Sequence, residues 1–403
     1  MIDPALTYLD FAATSAVRPQ AVIDAVHAYL ADIGATPGRG GHRLAIEAGR
    51  RALRCRQALA QLLGLPGDPG RIAFMFNATH AINTALQGVL SKGDVVVVTA
   101  FDHNAVLRTV HRLAGERGIR VRMVPGDASG QLDEHALTQS LDGARLLVIN
   151  GASNVLGNAL DVPRLARQAR EHGALTLMDA AQTAGELPLD AAAASIDMVA
   201  VTGHKALLGP QGIGALWVRE SVEVAPYLTG GTGGDSLLRD MPESLPDRLE
   251  AGTLNAPGIA GLDAGIRFVQ DSGVDALRAH QMRLKAMLRD GLQNVPGVRV
   301  RSPACPDGVP IVTITADDID AATLAHRLDR EHGVLARPGL HCAPDAHRVL
   351  GTAETGALRF SLGWSSTEAD VSRAVEAVAR IVHRSSVPGT GPGARKEADR
   401  VAG

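Results

Sequence analysis

The sequence is poor in lysine and aromatic residues. Lysine occupies only positions 92, 205, 285 and 396 of the 403 residues, so arginine supplies 36 of the 40 basic side chains. Arginine stays protonated in proteins and cannot act as an amine nucleophile, whereas lysine can. The few lysines are therefore candidates for chemistry rather than for charge alone, and Lys205 has the most suggestive surroundings.

Cysteine is scarce as well, and long apolar runs are absent. Three cysteines (Cys55, Cys305 and Cys342) are too few for a disulfide framework, which favours a reducing, cytoplasmic setting with a possible free reactive thiol. The longest apolar runs, such as residues 95–98, are strand-sized and far too short to span a membrane. We expect no secretory signal, because no basic segment followed by an apolar stretch opens the chain. The formal net charge of -3 argues against a broad basic face for nucleic acid or anionic lipid.

The first half of the chain alternates short apolar runs with amphipathic stretches. Strands are predicted at residues 71–76, 95–99, 120–124, 145–150, 175–179, 196–201 and 213–218, and helices at 80–90, 105–117 and 165–172. Such alternation predicts a mainly parallel sheet covered on both faces, the α/β class.

The pattern changes after residue 220. Residues 227–257 predict a long functional loop, and helices are expected at 258–270, 274–292 and 367–384. We therefore expect a large domain over 17–257 and a smaller α+β domain over 258–384 together with 1–16. The Gly-, Pro- and Ser-rich residues 385–403 predict a disordered tail.

Polar residues follow the predicted strands, where α/β sheets bind their ligands. After the first strand, Ala78 and Thr79 open a helix with free backbone N–H groups and a hydroxyl, which suits a phosphate, although a plain N-cap is the alternative. Asp179 closes another strand and needs a cationic partner or several donors. A protonated pyridine nitrogen would supply that partner, and Gln182 could donate to a phenolic oxygen on the same ring. The alternative for Asp179 is a helix cap.

Lys205 lies in a Gly-rich segment after a further strand. Burial there would lower its pKa, as Schiff-base chemistry requires, and Thr202 and His204 could both reach a phosphate. A surface lysine is the alternative, but the glycine-rich flanks disfavour a solvated helix face. The phosphate turn, the Asp–Gln pair and this lysine, in this order, predict a site for pyridoxal 5'-phosphate (PLP).

These residues resemble the class V aminotransferase family, and within it the cysteine desulfurases and selenocysteine lyases. The matching segments are residues 8–14, 102–105, 153–157, 179–182, 203–205, 250–253 and 339–343, so the resemblance runs from residue 8 to about 370. It implies a PLP-dependent transferase of fold type I, working as a homodimer with active sites at the subunit interface.

The resemblance also implies roles for individual residues, most of them within these segments. His103 would stack on the pyridine ring, and Asn154 would contact the ring oxygen or the substrate. Thr253 would reach the phosphate of the partner subunit. Arg359 matches an arginine that binds the substrate carboxylate, a natural bidentate pair.

Cys342 decides which reaction is expected. It lies in a turn-rich segment with Arg337, His341 and His347, which as cations would favour its thiolate. In the family this cysteine attacks the sulfur of cofactor-bound cysteine, leaving alanine and an enzyme persulfide. The alternative is an inert cysteine, which is what we expect of Cys55 and Cys305.

The short stretch from Cys342 to Arg359 resembles the group II (SUF-like) desulfurases. His42 also matches a histidine near the substrate in that group, and with Arg337 it completes the expected substrate residues. Leu340, however, replaces the first of the two histidines that commonly precede the group II cysteine.

We therefore expect a PLP-dependent cysteine desulfurase that acts on L-cysteine and passes sulfur to an acceptor protein. A selenocysteine lyase or β-C–S lyase stays open, and a true aminotransferase or a non-catalytic PLP-binding scaffold is less favoured. We expect no metal site. The acceptor and the pathway, whether iron–sulfur cluster assembly or selenium or other sulfur biosynthesis, stay open.

Overall fold

The computed structural model describes residues 3, 5–38, 40–233, 237–304 and 307–386. Its strands are β1 (Thr7–Tyr8), β2 (Ile72–Met75), β3 (Val95–Thr99), β4 (Arg120–Val124), β5 (Leu146–Asn150), β6 (Leu175–Asp179), β7 (Met198–Thr202), β8 (Gly214–Val218), β9 (Val298–Val300), β10 (Ile311–Ala316), β11 (Val334–Leu335), β12 (Arg337–Gly339) and β13 (Ala357–Ser361). Its α-helices are α1 (Gln20–Ala28), α2 (Arg43–Leu62), α3 (Ala78–Val89), α4 (Asn104–Arg117), α5 (Glu134–Leu141), α6 (Val162–Glu171), α7 (Ala256–Ser272), α8 (Val274–Gln293), α9 (Ala321–His332), α10 (Pro344–Val349) and α11 (Glu368–Ser386).

The large sheet has the strand order β2-β8-β7-β6-β5-β3-β4. The strands from β7 to β4 in this order are all parallel to one another. Strand β8 is antiparallel to both of its neighbours, β2 and β7. The predicted α/β class with a mainly parallel sheet is confirmed, and β3, β4 and β6 coincide with the predicted runs. In the predicted loop region, the described residues between β8 and α7 contain neither helix nor strand.

Burial on both faces explains the uninterrupted apolar runs. In β3, Val95 and Val97 pack into one core, while Val96 and Val98 pack into the core on the opposite face. A strand covered by helices on both sides has no solvent face, so its sequence does not alternate with polar residues. Because the strands are parallel, their carboxyl ends meet at one edge, and the polar residues that follow them meet there too.

The C-terminal part has its own antiparallel sheet, β12-β13-β10-β9, and its own apolar core. The N-terminal strand β1 joins this part through parallel pairing with β11. Helix α7 was expected to open the smaller domain, but it packs against α1 and α2, and its residues Ile259, Leu262 and Ile266 belong to the core of the large sheet. We therefore place the division after α7, near Gly273, rather than at residue 257.

Helix α11 continues to Ser386, slightly beyond its predicted end at residue 384, and the rest of the expected tail lies outside the described residues. Over the residues that the structure describes, no helix is both long and apolar enough to cross a membrane.

Candidate cofactor and substrate site

A cavity of about 250 Å³ lies at the carboxyl ends of β5, β6 and β7. Both parts of the chain contribute to its wall. Twelve of the predicted site residues line it: Ala78, Thr79, His103, Asn154, Asp179, Gln182, Thr202, His204, Lys205, Arg337, Cys342 and Arg359. A larger cleft of about 1430 Å³ lies around β9 and α9 and contains none of them.

One end of the cavity has the features of an anion site. Asn77 caps α3 by accepting a hydrogen bond from the backbone N–H of His80 at 3.0 Å, so the cap expected as an alternative is also present. The N–H groups of Ala78 and Thr79 belong to the first turn and have no intrahelical acceptor. Thr202 adds a buried hydroxyl that finds no hydrogen-bond partner among the described residues. Such unpaired buried groups are costly, and the oxygens of a phosphate would satisfy them.

Lys205 and Asp179 occupy the centre of the cavity wall. The pKa of Lys205 is lowered to about 8, mainly by burial. The charge of Asp179 opposes this shift, whereas the charges of Arg359 and Arg337 contribute to it. Asp179 is buried at the end of β6, where one carboxylate oxygen accepts a hydrogen bond from the Ala181 N–H at 2.9 Å. The lysine is thus closer to its neutral, nucleophilic form than an ordinary surface lysine.

His103 serves both as a helix cap and as part of the cavity wall. Its Nδ1 accepts a hydrogen bond from the backbone N–H of Ala105 at 3.0 Å at the start of α4. Burial lowers its pKa, partly offset by the charge of Asp179, so the ring is neutral near pH 7. With Nδ1 accepting in a neutral ring, the proton resides on Nε2.

Arg359 lies in β13 with only 1% of its surface exposed. It donates to the Asp10 carboxylate at 2.7 Å and to the Asn154 carbonyl at 3.1 Å. Its Nε has no hydrogen-bond partner in the described part of the chain, and neither has the side-chain oxygen of Asn154. Arg359 Nε can therefore donate a hydrogen bond to a ligand, and the side-chain oxygen of Asn154 can accept one from it.

The sequence analysis missed the role of Asp10. It belongs to the matched segment 8–14, yet no function was predicted for it. The available signal was that Asp10 is the only acidic residue of that segment. An arginine buried at this depth needs a carboxylate partner.

The loop after β12 presents an exposed Cys342 to the cavity. His341 and Cys342 have φ angles of 49° and 59°, a left-handed conformation that costs a non-glycine residue on the order of 1–3 kcal/mol. Hydrogen bonds from segments that are distant in sequence hold the backbone of His341 and Cys342 in this conformation. The Asn154 side chain donates to the His341 carbonyl at 2.6 Å, and the Asn104 N–H donates to the Cys342 carbonyl at 2.7 Å.

The expectation that histidine cations flank this thiol was wrong. His341 and His347 are joined by a hydrogen bond of 3.1 Å, but burial lowers their pKa values to about 3 and about 4. Both rings are consequently uncharged near pH 7. The cationic side chains that share the cavity wall with Cys342 are Arg337, Arg359 and Lys205.

Two predicted site residues lie outside the cavity wall of the single chain. His42 is exposed and caps α2, its Nδ1 accepting from the Ala45 N–H at 3.4 Å. Thr253 is exposed in the segment before α7. Of the two remaining cysteines, Cys55 is fully buried in the core, and Cys305 lies outside the described residues.

Comparison with known proteins agrees with this geometry. The model of the family "Aminotransferase class-V" matches residues 7–374. The chain belongs to this family. A probable cysteine desulfurase of Methanothermobacter thermautotrophicus is 32% identical over 93% of this chain and 94% of its own length. A cysteine desulfurase of Haloferax volcanii is 32% identical over 91% of this chain and 87% of its own.

Solved structures of this class-V family show the same fold. The apo cysteine desulfurase of Thermococcus onnurineus matches with a TM-score of 0.87 at 28% identity, covering 94% of this chain and 95% of that one. The Escherichia coli cysteine desulfurase CsdA matches with a TM-score of 0.82 at 30% identity, covering the same shares. The predicted fold type I of PLP-dependent transferases is thereby confirmed.

Proposed function

We propose that the protein is a PLP-dependent cysteine desulfurase, which converts L-cysteine to L-alanine and retains the sulfur as a persulfide on Cys342. One observation carries the proposal. An exposed thiol, Cys342, shares a cavity wall with a buried lysine of lowered pKa, Lys205, and a buried arginine, Arg359. An aminotransferase would have no use for a thiol in that position.

The residues of the cavity fit PLP. The N–H groups of Ala78 and Thr79, with Thr202 and His204, would hold its phosphate, and the unpaired hydroxyl of Thr202 supports this assignment. Asp179 would hold the pyridine nitrogen. His103 would lie against the ring and Gln182 would donate to it. When bound, PLP supplies an electron sink for the carbon next to the substrate's amino group.

Arg359 and Lys205 act on the two ends of the amino acid. Arg359 binds the carboxylate, and Asp10 fixes one of its terminal nitrogens so that the guanidinium keeps one orientation. Lys205 would hold the cofactor covalently through its Nζ. A pKa of about 8 also lets its Nζ release and take up a proton near neutral pH, so it can move the proton of the substrate's α-carbon.

Cys342 performs the sulfur transfer. Its thiolate Sγ attacks the sulfur of the substrate, an S–S bond forms and the C–S bond breaks. The electron pair of the broken bond stays with the carbon, which takes a proton and becomes the methyl group of alanine. The sulfur atom remains on Cys342 as a persulfide, available to a reductant or an acceptor.

The products from L-cysteine test this proposal. With a thiol reductant present, the holoenzyme should release alanine and sulfide in equal amounts. Pyruvate with ammonia would contradict it and would indicate a β-C–S lyase. A parallel assay with L-selenocysteine decides the remaining alternative, because a selenocysteine lyase would use only that substrate.

We further propose a homodimer in which Thr253 completes the phosphate site of the partner subunit. Thr253 follows Glu250, which is fixed in a buried ion pair with Arg56 at 2.7 Å, so the exposed segment starts from a rigid anchor. Next to the cavity, Phe76 is 59% exposed and Tyr227 is 39% exposed. Exposed apolar side chains that cluster in this way mark interaction surfaces.

Subunit exchange between two inactive variants tests the dimer. Lys205→Ala and Thr253→Ala protomers, once mixed, should form some heterodimers with one intact site and regain part of the activity. A protomer with a self-contained site would show no rescue beyond either parent.

The exposure of Cys342 supports delivery of the persulfide to a sulfur-acceptor protein. Leu340, two residues earlier, is 39% exposed and adds an apolar contact beside the thiol. Because Cys55 and Cys342, the two cysteines among the described residues, are free, we propose a reducing, cytoplasmic compartment for this exchange.

A further inference from the structure

A continuous row of hydrogen bonds lies beneath the Cys342 loop. The Thr352 hydroxyl is 2.8 Å from His347 Nδ1, His347 Nε2 is 3.1 Å from His341 Nδ1, and His341 Nε2 is 2.9 Å from the Arg337 carbonyl. His347 is fully buried and His341 is 5% exposed. None of these bonds involves the cofactor residues at the strand ends.

The Arg337 carbonyl at the end of the row determines which atom donates the proton in each of these hydrogen bonds. The Arg337 carbonyl can only accept, so His341 carries its proton on Nε2. Since the ring is neutral, its Nδ1 is bare and accepts from His347 Nε2–H. His347 is neutral as well, so its own Nδ1 accepts from the Thr352 hydroxyl. Arg359 and Arg337 lie close enough to His341 to disfavour a second proton on it, which keeps the row in this one arrangement.

The row of hydrogen bonds restrains His341, whose backbone is left-handed and which directly precedes Cys342. His341 is held by its ring at both nitrogens and by its carbonyl, which accepts from Asn154. Replacing the ring of His347 would remove one of those three restraints and leave a bare nitrogen in a dry interior. Within the described part of the chain, the hydrogen bond that orients the adjoining Cys342 is the one from the Asn104 N–H to its carbonyl.

We infer that His347, whose Nδ1 accepts from the Thr352 hydroxyl, is a positioning residue that holds Cys342 in the orientation for attack on the substrate sulfur. The inference rests on the proposed desulfurase reaction. His347 does not line the cavity and acts only through His341.

Four variants of the holoenzyme test it. His347→Leu removes both ring bonds, whereas His347→Gln keeps an N–H that can donate to His341. Thr352→Val removes the hydroxyl, and Thr352→Ser keeps it. The control is His135→Leu, on the exposed side of α5.

For His347→Leu we expect kcat for alanine release to fall on the order of 100-fold, the loss that a displacement of about 1 Å can cause. KM and the visible absorbance of the bound cofactor should not change, because Arg359 and Lys205 are untouched. His347→Gln should recover much of the rate, Thr352→Val should lose about tenfold, and Thr352→Ser and His135→Leu should match wild type. A wild-type kcat in His347→Leu would overturn the inference. So would equal losses in the Leu and Gln variants accompanied by a raised KM, because that pattern indicates general unfolding of the site.

Two measurements made in the absence of the substrate L-cysteine test this inference independently of the proposed function. Nitrogen-15 spectra should show His341 as the neutral Nε2–H form from pH 5 to 8, and the Asn104 amide should exchange faster in His347→Leu than in wild type. A protonated His341, or unchanged exchange at Asn104, would contradict the positioning role. If wild type made no alanine from cysteine, the proposed function would fail, while these two results would still decide the structural part.

Discussion

The floor and the rim of the cavity are built in different ways. The floor consists of Asp179, Thr202 and Lys205, which end or follow the regular parallel strands β6 and β7. The rim consists of His341 and Cys342, held in a left-handed conformation by residues far away in the sequence. The hydrogen bond between Asn154 and His341, for example, joins positions that are 187 residues apart. The floor is therefore encoded locally, whereas the rim depends on the packing of both parts of the chain.

Removing the floor lysine should have the largest effect. Lys205→Ala should lose the visible absorbance of the bound cofactor and all turnover, because the covalent attachment point is gone. Lys205→Arg should fail as completely, since a guanidinium cannot replace the amine. Lys92→Arg, an exposed lysine, is the control and should be unaffected. A Lys205→Ala protein with normal turnover would end the assignment.

Removing the rim thiol should separate the two regions most clearly. Cys342→Ser should keep the cofactor absorbance, which depends on the floor, yet release almost no alanine from cysteine. Cys55→Ala should keep the wild-type rate, because Cys55 is buried in the core away from the cavity. Mass spectrometry of wild type after cysteine, without reductant, should find one added sulfur on the Cys342 peptide. Alanine release by Cys342→Ser at the wild-type rate would refute the desulfurase mechanism.

Neutralising the floor carboxylate should have the next largest effect. Asp179→Asn keeps the shape of the side chain but cannot stabilise a protonated pyridine to the same degree. We expect kcat to fall roughly 100-fold or more, or about 2.7 kcal/mol in activation free energy. Circular dichroism should show an unchanged fold. Near-normal rates would remove the electron-sink role from Asp179.

Asp102 directly precedes the cavity residue His103 and is fully buried. One of its oxygens accepts from the Thr99 N–H at 2.6 Å, and the other has no hydrogen-bond partner among the residues described. Burial is the main cause that raises its pKa to about 7, and the charge of Asp179 contributes to this rise. Ionisation of this carboxyl is thus disfavoured in the folded protein.

The smallest expected effect follows from the ionisation of Asp102. A raised folded-state pKa gives stability that is fully present below about pH 4 and is lost as the pH rises through about 7. The melting temperature of wild type should therefore fall between about pH 4 and pH 7, and the fall should be shallower in Asp102→Asn. Glu186, whose pKa burial raises to about 8, should account for part of the remaining slope. Asp142→Asn, an exposed control, should follow wild type; equal slopes in all three proteins would contradict the buried titration.

The sequence predicted the floor better than the rim for a physical reason. Buried parallel strands leave continuous apolar runs, so the strand ends near Asp179, Thr202 and Lys205 could be predicted from the apolar pattern, and the residue types and motifs there indicated a site. The charge states of His341 and His347 could not, because they depend on burial by segments that are remote in sequence. The Asp10–Arg359 pair was missed for the same reason. Helix α7 was assigned to the smaller domain because its apolar pattern does not say which core it enters.

The Asp10–Arg359 contact spans 349 residues, and β1 pairs with β11 at the far end of the chain. A ribosome that has made the chain as far as β8 has produced every strand of the large sheet, so that sheet can begin to fold early. The residues of β1 must wait until β11 and then β13 emerge. A nascent or truncated chain can thus acquire the pocket floor and its lysine before Cys342 exists. The reactive thiol is added only after every strand of the large sheet has been made.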